Sequence, residues 1–99
     1  MFIIEYAESV TDDLMAFRVF DRRRVLDQIE EQLTHQPTSA ARNKKVITGL
    51  IPPWEHDPPL WELRIGEFRV FYDVDEETAK VMIRAVRRKP PHKTTEEIL

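Results

Sequence analysis

Cysteine is absent from the 99 residues, so the chain has no disulfide framework and no thiolate metal site, a composition that suits a reducing cytoplasm. Glycine occurs only twice. That excludes a glycine-rich phosphate loop and argues against the nucleotide-binding enzymes built on one. No apolar run approaches the length of a membrane span, and the opening MFIIEY carries a very short apolar stretch with no basic flank. The expectation is a soluble, cytoplasmic protein without a membrane partner. A chain of this size suits one small domain with one core, residues 1–99. Internal repeats and low-complexity segments are also missing.

Positive charge is scarce overall but unevenly spread. The net charge is -3, which argues against wholesale nonspecific binding of nucleic acid. Within Leu60–Lys93, however, eight Lys or Arg stand against six Asp or Glu, whereas the whole chain has 15 against 18. A local basic surface on an acidic protein is therefore expected.

The most informative stretch is LWELRIGEFRVFYDVDEETAKVMIRAVRR, Leu60–Arg88. Apolar and polar residues alternate from Trp61 to Ile65 and again from Phe68 to Val74, the period of strands buried on one side. Gly66-Glu67 between them is a two-residue hairpin turn, which pairs Ile65 with Phe68, Arg64 with Arg69, Leu63 with Val70 and Trp61 with Tyr72. Asp75–Thr78 closes a second hairpin, with Val74 opposite Ala79 and an apolar face continuing through Val81, Ile83 and Ala85. The opposite face then pairs Asp73 with Lys80, Phe71 with Met82 and Arg69 with Arg84. Arg64, Arg69 and Arg84 stand abreast in this register, with Arg88 further along the same side. Like charges opposed in a sheet repel, so such a row suggests a bound anion, either carboxylate or phosphate.

Upstream, Phe2–Tyr6 is a strand candidate. Ser9 or Thr11 caps a short helix carrying Val10, Leu14 and Phe17; Asp21 caps a second, with Val25, Leu26, Ile29 and Leu33, running to about His35. Together these predict a helical hairpin across the sheet's apolar face. Residues 36–59 hold five prolines and read as one long loop. Pro90-Pro91 stops the last strand, and Ile98 and Leu99 of a final turn dock on the core.

The order strand, helix, helix and three strands, with WELRIGEFRVFYDVD and RAVRRK, resembles the RelE/ParE superfamily of bacterial toxin-antitoxin toxins over nearly the whole chain. The most specific part is Trp61–Tyr72; Lys45-Val-Ile-Thr-Gly49 resembles the family's K-x-L-x-G lead-in less closely. The resemblance implies an α+β fold, with an N-terminal strand and helical hairpin packed on an antiparallel sheet in the order β-α-α-β-β-β. It also implies a cognate antitoxin, and action on mRNA at the ribosome as a RelE-like endonuclease or on DNA gyrase as a ParE-like poison. Arg69 matches the family arginine that contacts the scissile phosphate, and Arg88, or Arg87 one residue earlier, matches a second at the end of the last strand. The paired family lysines fall on Leu60 and Glu62, a departure that keeps open a binding protein without catalysis, either a gyrase-directed toxin or a chain whose toxicity has decayed. The family's C-terminal tyrosine aligns near Thr94, beside His92.

Metal-independent RNA cleavage needs a base for the 2′-hydroxyl, an acid for the leaving oxygen and cations for the phosphorane. Arg69, Arg88 and His92 are the catalytic candidates; Arg64, Arg84, Arg87, Lys44 and Lys45 are candidates for holding RNA. Against these stand plainer roles. Arg69 can pair with Asp73 or Glu62, His92 can simply be exposed, and the clusters Arg22–Arg24 and Arg42–Lys45 can form solvated faces. Glu55, His56 and Asp57 are adjacent in a loop and cannot converge as metal ligands do, so neither metal nor cofactor is expected. Phe71 and Met82, apolar on the arginine face, suggest that an antitoxin segment or the C-terminal tail covers it.

Overall fold

The computed structural model describes residues 1–99 and contains five strands and three helices: β1 (Ile3–Tyr6), α1 (Val10–Met15), α2 (Val19–Leu33), β2 (Lys44–Ile47), β3 (Leu60–Ile65), β4 (Phe68–Asp75), β5 (Lys80–Arg88) and α3 (Thr95–Ile98). One sheet runs in the order β1-β5-β4-β3-β2. This is the expected α+β architecture with two additions. Lys44–Ile47, inside the expected long loop, is an edge strand antiparallel to β3; half of its four residues are lysines set in a proline-rich stretch, unlike the apolar run of β1. The N-terminal strand joins the sheet parallel to β5, so the sheet is mixed.

The helical hairpin covers one face. In α2, Asp21, Val25, Ile29 and Leu33 recur every four residues and are all buried, the spacing that keeps side chains on one stripe of a helix. Val25, Ile29 and Leu33 pack with Val10 on Trp61, Leu63, Ile65, Phe68, Val70, Tyr72, Val81, Ile83 and Val86. The second helix starts earlier than its capping signal suggests. Its N-cap is Arg18, and Asp21 lies within the first turn, where its negative charge complements the helix dipole.

The β3–β4 hairpin has the register expected from its two-residue turn, from Trp61↔Tyr72 to Ile65↔Phe68. The β4–β5 hairpin does not. Val74 faces Val81 and Asp75 faces Lys80, because the turn takes four residues, Glu76–Ala79, with Ala79 at positive φ. Asp75 Oδ1 closes it by accepting the N–H groups of Glu77 and Thr78. That two-residue shift alone preserves the faces. A β-bulge then reverses them: Tyr72 faces Ile83 but Phe71 faces Ala85, leaving Arg84 as the extra residue. Ala85 therefore belongs to the open face with Leu60 and Phe71, Val86 takes the core side, and Arg69 faces Arg87 instead of Arg84.

The open face is closed in part by the chain's own tail. Trp54, Ile98 and Leu99 pack on Leu60, Phe71 and Ala85, so Phe71 is buried. A capping box between Thr94 and Glu97 shapes the last turn. Beyond β1, the outer edge of β5 is met by α1: Asp13 Oδ2 accepts the Val86 N–H at 3.0 Å and Arg87 Nη1 at 2.8 Å.

Candidate functional site

The β3–β4 turn is the centre of the basic end. Arg64 and Arg69 are paired residues on its two strands. Arg64 is exposed, while Arg69 is 7% exposed and folds back over the turn. Its Nη1 donates to the Gly66 carbonyl at 2.7 Å and to the Phe68 carbonyl at 2.9 Å. No carboxylate approaches either guanidinium within 4.0 Å. Burial, and then the charge of Arg64, hold Arg69 below the usual arginine pKa, with Glu62 opposing. A guanidinium so placed is still charged, since arginine does not deprotonate in proteins. It is a desolvated cation with only part of its donor fork in use, and an anion would complement it.

The remaining candidates are distributed differently from the expected row. Arg84, displaced by the bulge, is bound to Asp73 through Nε at 2.6 Å and Nη2 at 3.3 Å, with Asp57 at 3.7 Å; the hydrogen bond to Asp73 raises its pKa. So the acid near the arginines pairs with Arg84 and not with Arg69. Arg87 is across from Arg69 but reaches Asp13. Arg88 lies on the helix side, its Cζ 5.3 Å from the Phe68 ring centroid, and approaches Asp21 at 3.6 Å and Glu67 at 3.7 Å. One residue of bulge thus separates Arg88 from Arg69 by the thickness of the sheet.

Lys44 is buried and its ammonium donates to the carbonyls of Gln32 and Gln36, where it satisfies the C-terminal end of α2. Burial lowers its pKa. Lys45 is exposed and 4.0 Å from Glu62. Arg22, in the cluster Arg22–Arg24, caps α1 by donating to the carbonyls of Leu14 and Phe17. His92 is exposed, in the turn that follows β5. No three His, Asp or Glu side chains converge with metal-ligand geometry.

Glu62 is the residue that sequence reasoning undervalued. Counted there as the loss of a family lysine and as one possible partner of Arg69, it is 3% exposed on the open face, where it accepts a hydrogen bond from Thr95 Oγ1 at 3.3 Å and offsets part of the charge of Arg69. The signal was available: the alternation that puts Arg64 outward puts Glu62 on the same side.

Comparison with known proteins identifies the family and the fold. Residues 4–89 match the family model described as the ParE toxin of the type II toxin-antitoxin system, parDE. Comparison with curated proteins returns no match. Among solved structures, the toxin-antitoxin complex RelBE2 of Mycobacterium tuberculosis is similar at a TM-score of 0.69 and 18% identity, over 89% of this chain and 98% of the other. The archaeal RelE-RelB complex of Pyrococcus horikoshii is similar at 0.69 and 20% identity, over 94% and 98%. The isolated Escherichia coli RelE toxin gives 0.68 and 14% identity, over 94% and 89%.

Proposed function

The chain belongs to the ParE toxin family of type II toxin-antitoxin systems, and on that premise we propose that it is a cytoplasmic toxin acting on RNA, a RelE-like ribosome-dependent mRNA endonuclease held in check by a cognate antitoxin. The observation that carries this reading is the Arg64–Arg69 pair. Arg87 and Arg88, near this end of the sheet, are matched to carboxylates of the chain, whereas these two paired residues are not. A phosphodiester supplies the missing charge, and two planar forks can each donate to a non-bridging oxygen as negative charge grows on phosphorus.

The proton-transfer half of the reaction is less developed than the charge-stabilising half. Arg88 is on the other face and His92 has no partner that would orient it. Such a division of labour fits a nuclease that works only on the ribosome, where the substrate's 2′-hydroxyl is aligned by something other than this chain. The antitoxin follows from the family and from relatives solved as RelE-RelB complexes.

The test is induced expression of the toxin alone, reading growth together with the 5′ ends of cellular transcripts. Cuts within translated codons are expected, and Arg69→Gln should reduce them by about 10²-fold or more, the usual cost of losing one charge-stabilising donor. The separation of Arg69 from Arg88 favours a second reading, a ParE-like toxin that binds gyrase without cutting RNA. Growth arrest with intact transcripts and inhibited supercoiling by gyrase in vitro would select it.

A further inference from the structure

The helical side of the turn contributes a third cation that lies just as free of acids. A Cβ built on Gly66 would sit 2.8 Å from Arg24 Nη2, 3.2 Å from Nη1 and 3.4 Å from Cζ. The Arg24 guanidinium therefore rests on the Gly66 α-carbon, while Arg69 holds the carbonyl of the same residue from the open side. Gly66 has φ +57, so glycine is required there twice, for its backbone angle and for the room it leaves. Arg24 is exposed and has no carboxylate within 4.0 Å. Glu67, the acid of the turn itself, is turned to Arg88.

We propose that Arg24, Arg64 and Arg69 form one phosphodiester clamp around the Gly66 turn, so that the RNA backbone wraps the tip of the hairpin from the open face onto the helical face. The clamp rests on the RNA reading above. Three like charges gathered around one short turn repel one another, and a bound phosphate offsets that repulsion. Sheet geometry alone would confine the site to one face; the close approach over Gly66 removes that limit. Arg23, one residue away on α2, is equally exposed but does not overlie the turn, and it is not part of the clamp.

The experiment is binding of a labelled single-stranded oligoribonucleotide to the purified full chain across a range of salt concentrations, with folding checked by circular dichroism. Each phosphate contact adds roughly 0.7 to 1 to the slope of log affinity against log salt. Arg24→Gln should lower the slope by that amount and weaken binding several-fold at moderate salt, Arg24→Lys should keep the slope, and Arg23→Gln should leave both unchanged. Gly66→Ala, where it folds, should copy Arg24→Gln by pushing the guanidinium away. A slope unaltered in Arg24→Gln but lowered in Arg69→Gln would overturn the clamp and leave a one-faced site. Equal losses in Arg23→Gln and Arg24→Gln would overturn it in favour of diffuse helix charge. Binding that is unaffected by any of these variants, Arg69→Gln included, would refute the RNA reading itself.

Discussion

Replacing Asp13 tests how the edge of β5 is held. Its Oδ2 receives both the Val86 N–H at 3.0 Å and Arg87 Nη1 at 2.8 Å, so one carboxylate joins α1 to a strand edge that β1 does not reach. A hydrogen bond to a charged acceptor contributes about 1.5 to 3 kcal/mol. The pairing with Arg87, whose side chain is 27% exposed against 19% for Asp13, adds about 0.2 to 1 kcal/mol. Asp13→Ala removes both and should destabilise the chain by about 2 to 3 kcal/mol. Asp13→Asn keeps an acceptor for the Val86 N–H and loses the charge, so its cost should be near 1 kcal/mol. In thermal unfolding, at roughly 4 to 8 °C per kcal/mol for a domain of this size, the alanine variant should melt about 10 °C or more below the parent. Asp13→Asn also frees Arg87 opposite Arg69, so the same protein should hold RNA more tightly and with a steeper salt dependence. An alanine variant within about 0.5 kcal/mol of the parent would refute the reasoning, because α1 would then be held by its apolar contacts alone.

Arg84→Ala should cost about 3 kcal/mol or more, since it strands Asp73, 3% exposed, without its cation; urea unfolding measures it. Lys44→Ala should destabilise by about 1 to 2 kcal/mol through the Gln32 and Gln36 carbonyls, yet leave RNA affinity unchanged, whereas Lys45→Ala should barely affect stability. Tyr72 donates to the Pro37 carbonyl at 2.7 Å and burial raises its pKa above the ordinary value of 10.0. The unfolded chain then loses this proton first, so stability should fall as pH rises above about 10. Tyr72→Phe should be less stable at neutral pH by about 1 kcal/mol and show a shallower alkaline decline, which unfolding at pH 7 and pH 11 would reveal.

How much was legible in the sequence differs between the two hairpins. Gly66-Glu67 left one choice of register, and every pair from Trp61↔Tyr72 to Ile65↔Phe68 followed from it. The second turn was ambiguous because an acidic run can close over two or four residues, and the bulge at Arg84 has no glycine or proline to mark it. That single unmarked residue decides which face Arg88 occupies. Arg69 and Arg64 were visible as candidates because they lie before the bulge. The overlap of Arg24 with Gly66 was not, since it depends on how α2 crosses the sheet. Strand β2 escaped notice because half of its four residues are lysines set in a proline-rich stretch, unlike the apolar run of β1, and with it the internal use of Lys44.

The parallel pairing of β1 has a consequence for how the protein comes into being. Ile3 is joined to Lys80 and Tyr6 to Ile83, so β1 leaves the ribosome without a partner until β2, β3, β4 and the first half of β5 have followed it. The two hairpins between them form from neighbours and can assemble early, but closing the loop from β1 to β5 carries the larger entropic cost and comes late. During synthesis the turn at Gly66 is therefore built before the sheet is complete, and the arginines at its tip are in place on a chain whose opening residues are still unpaired.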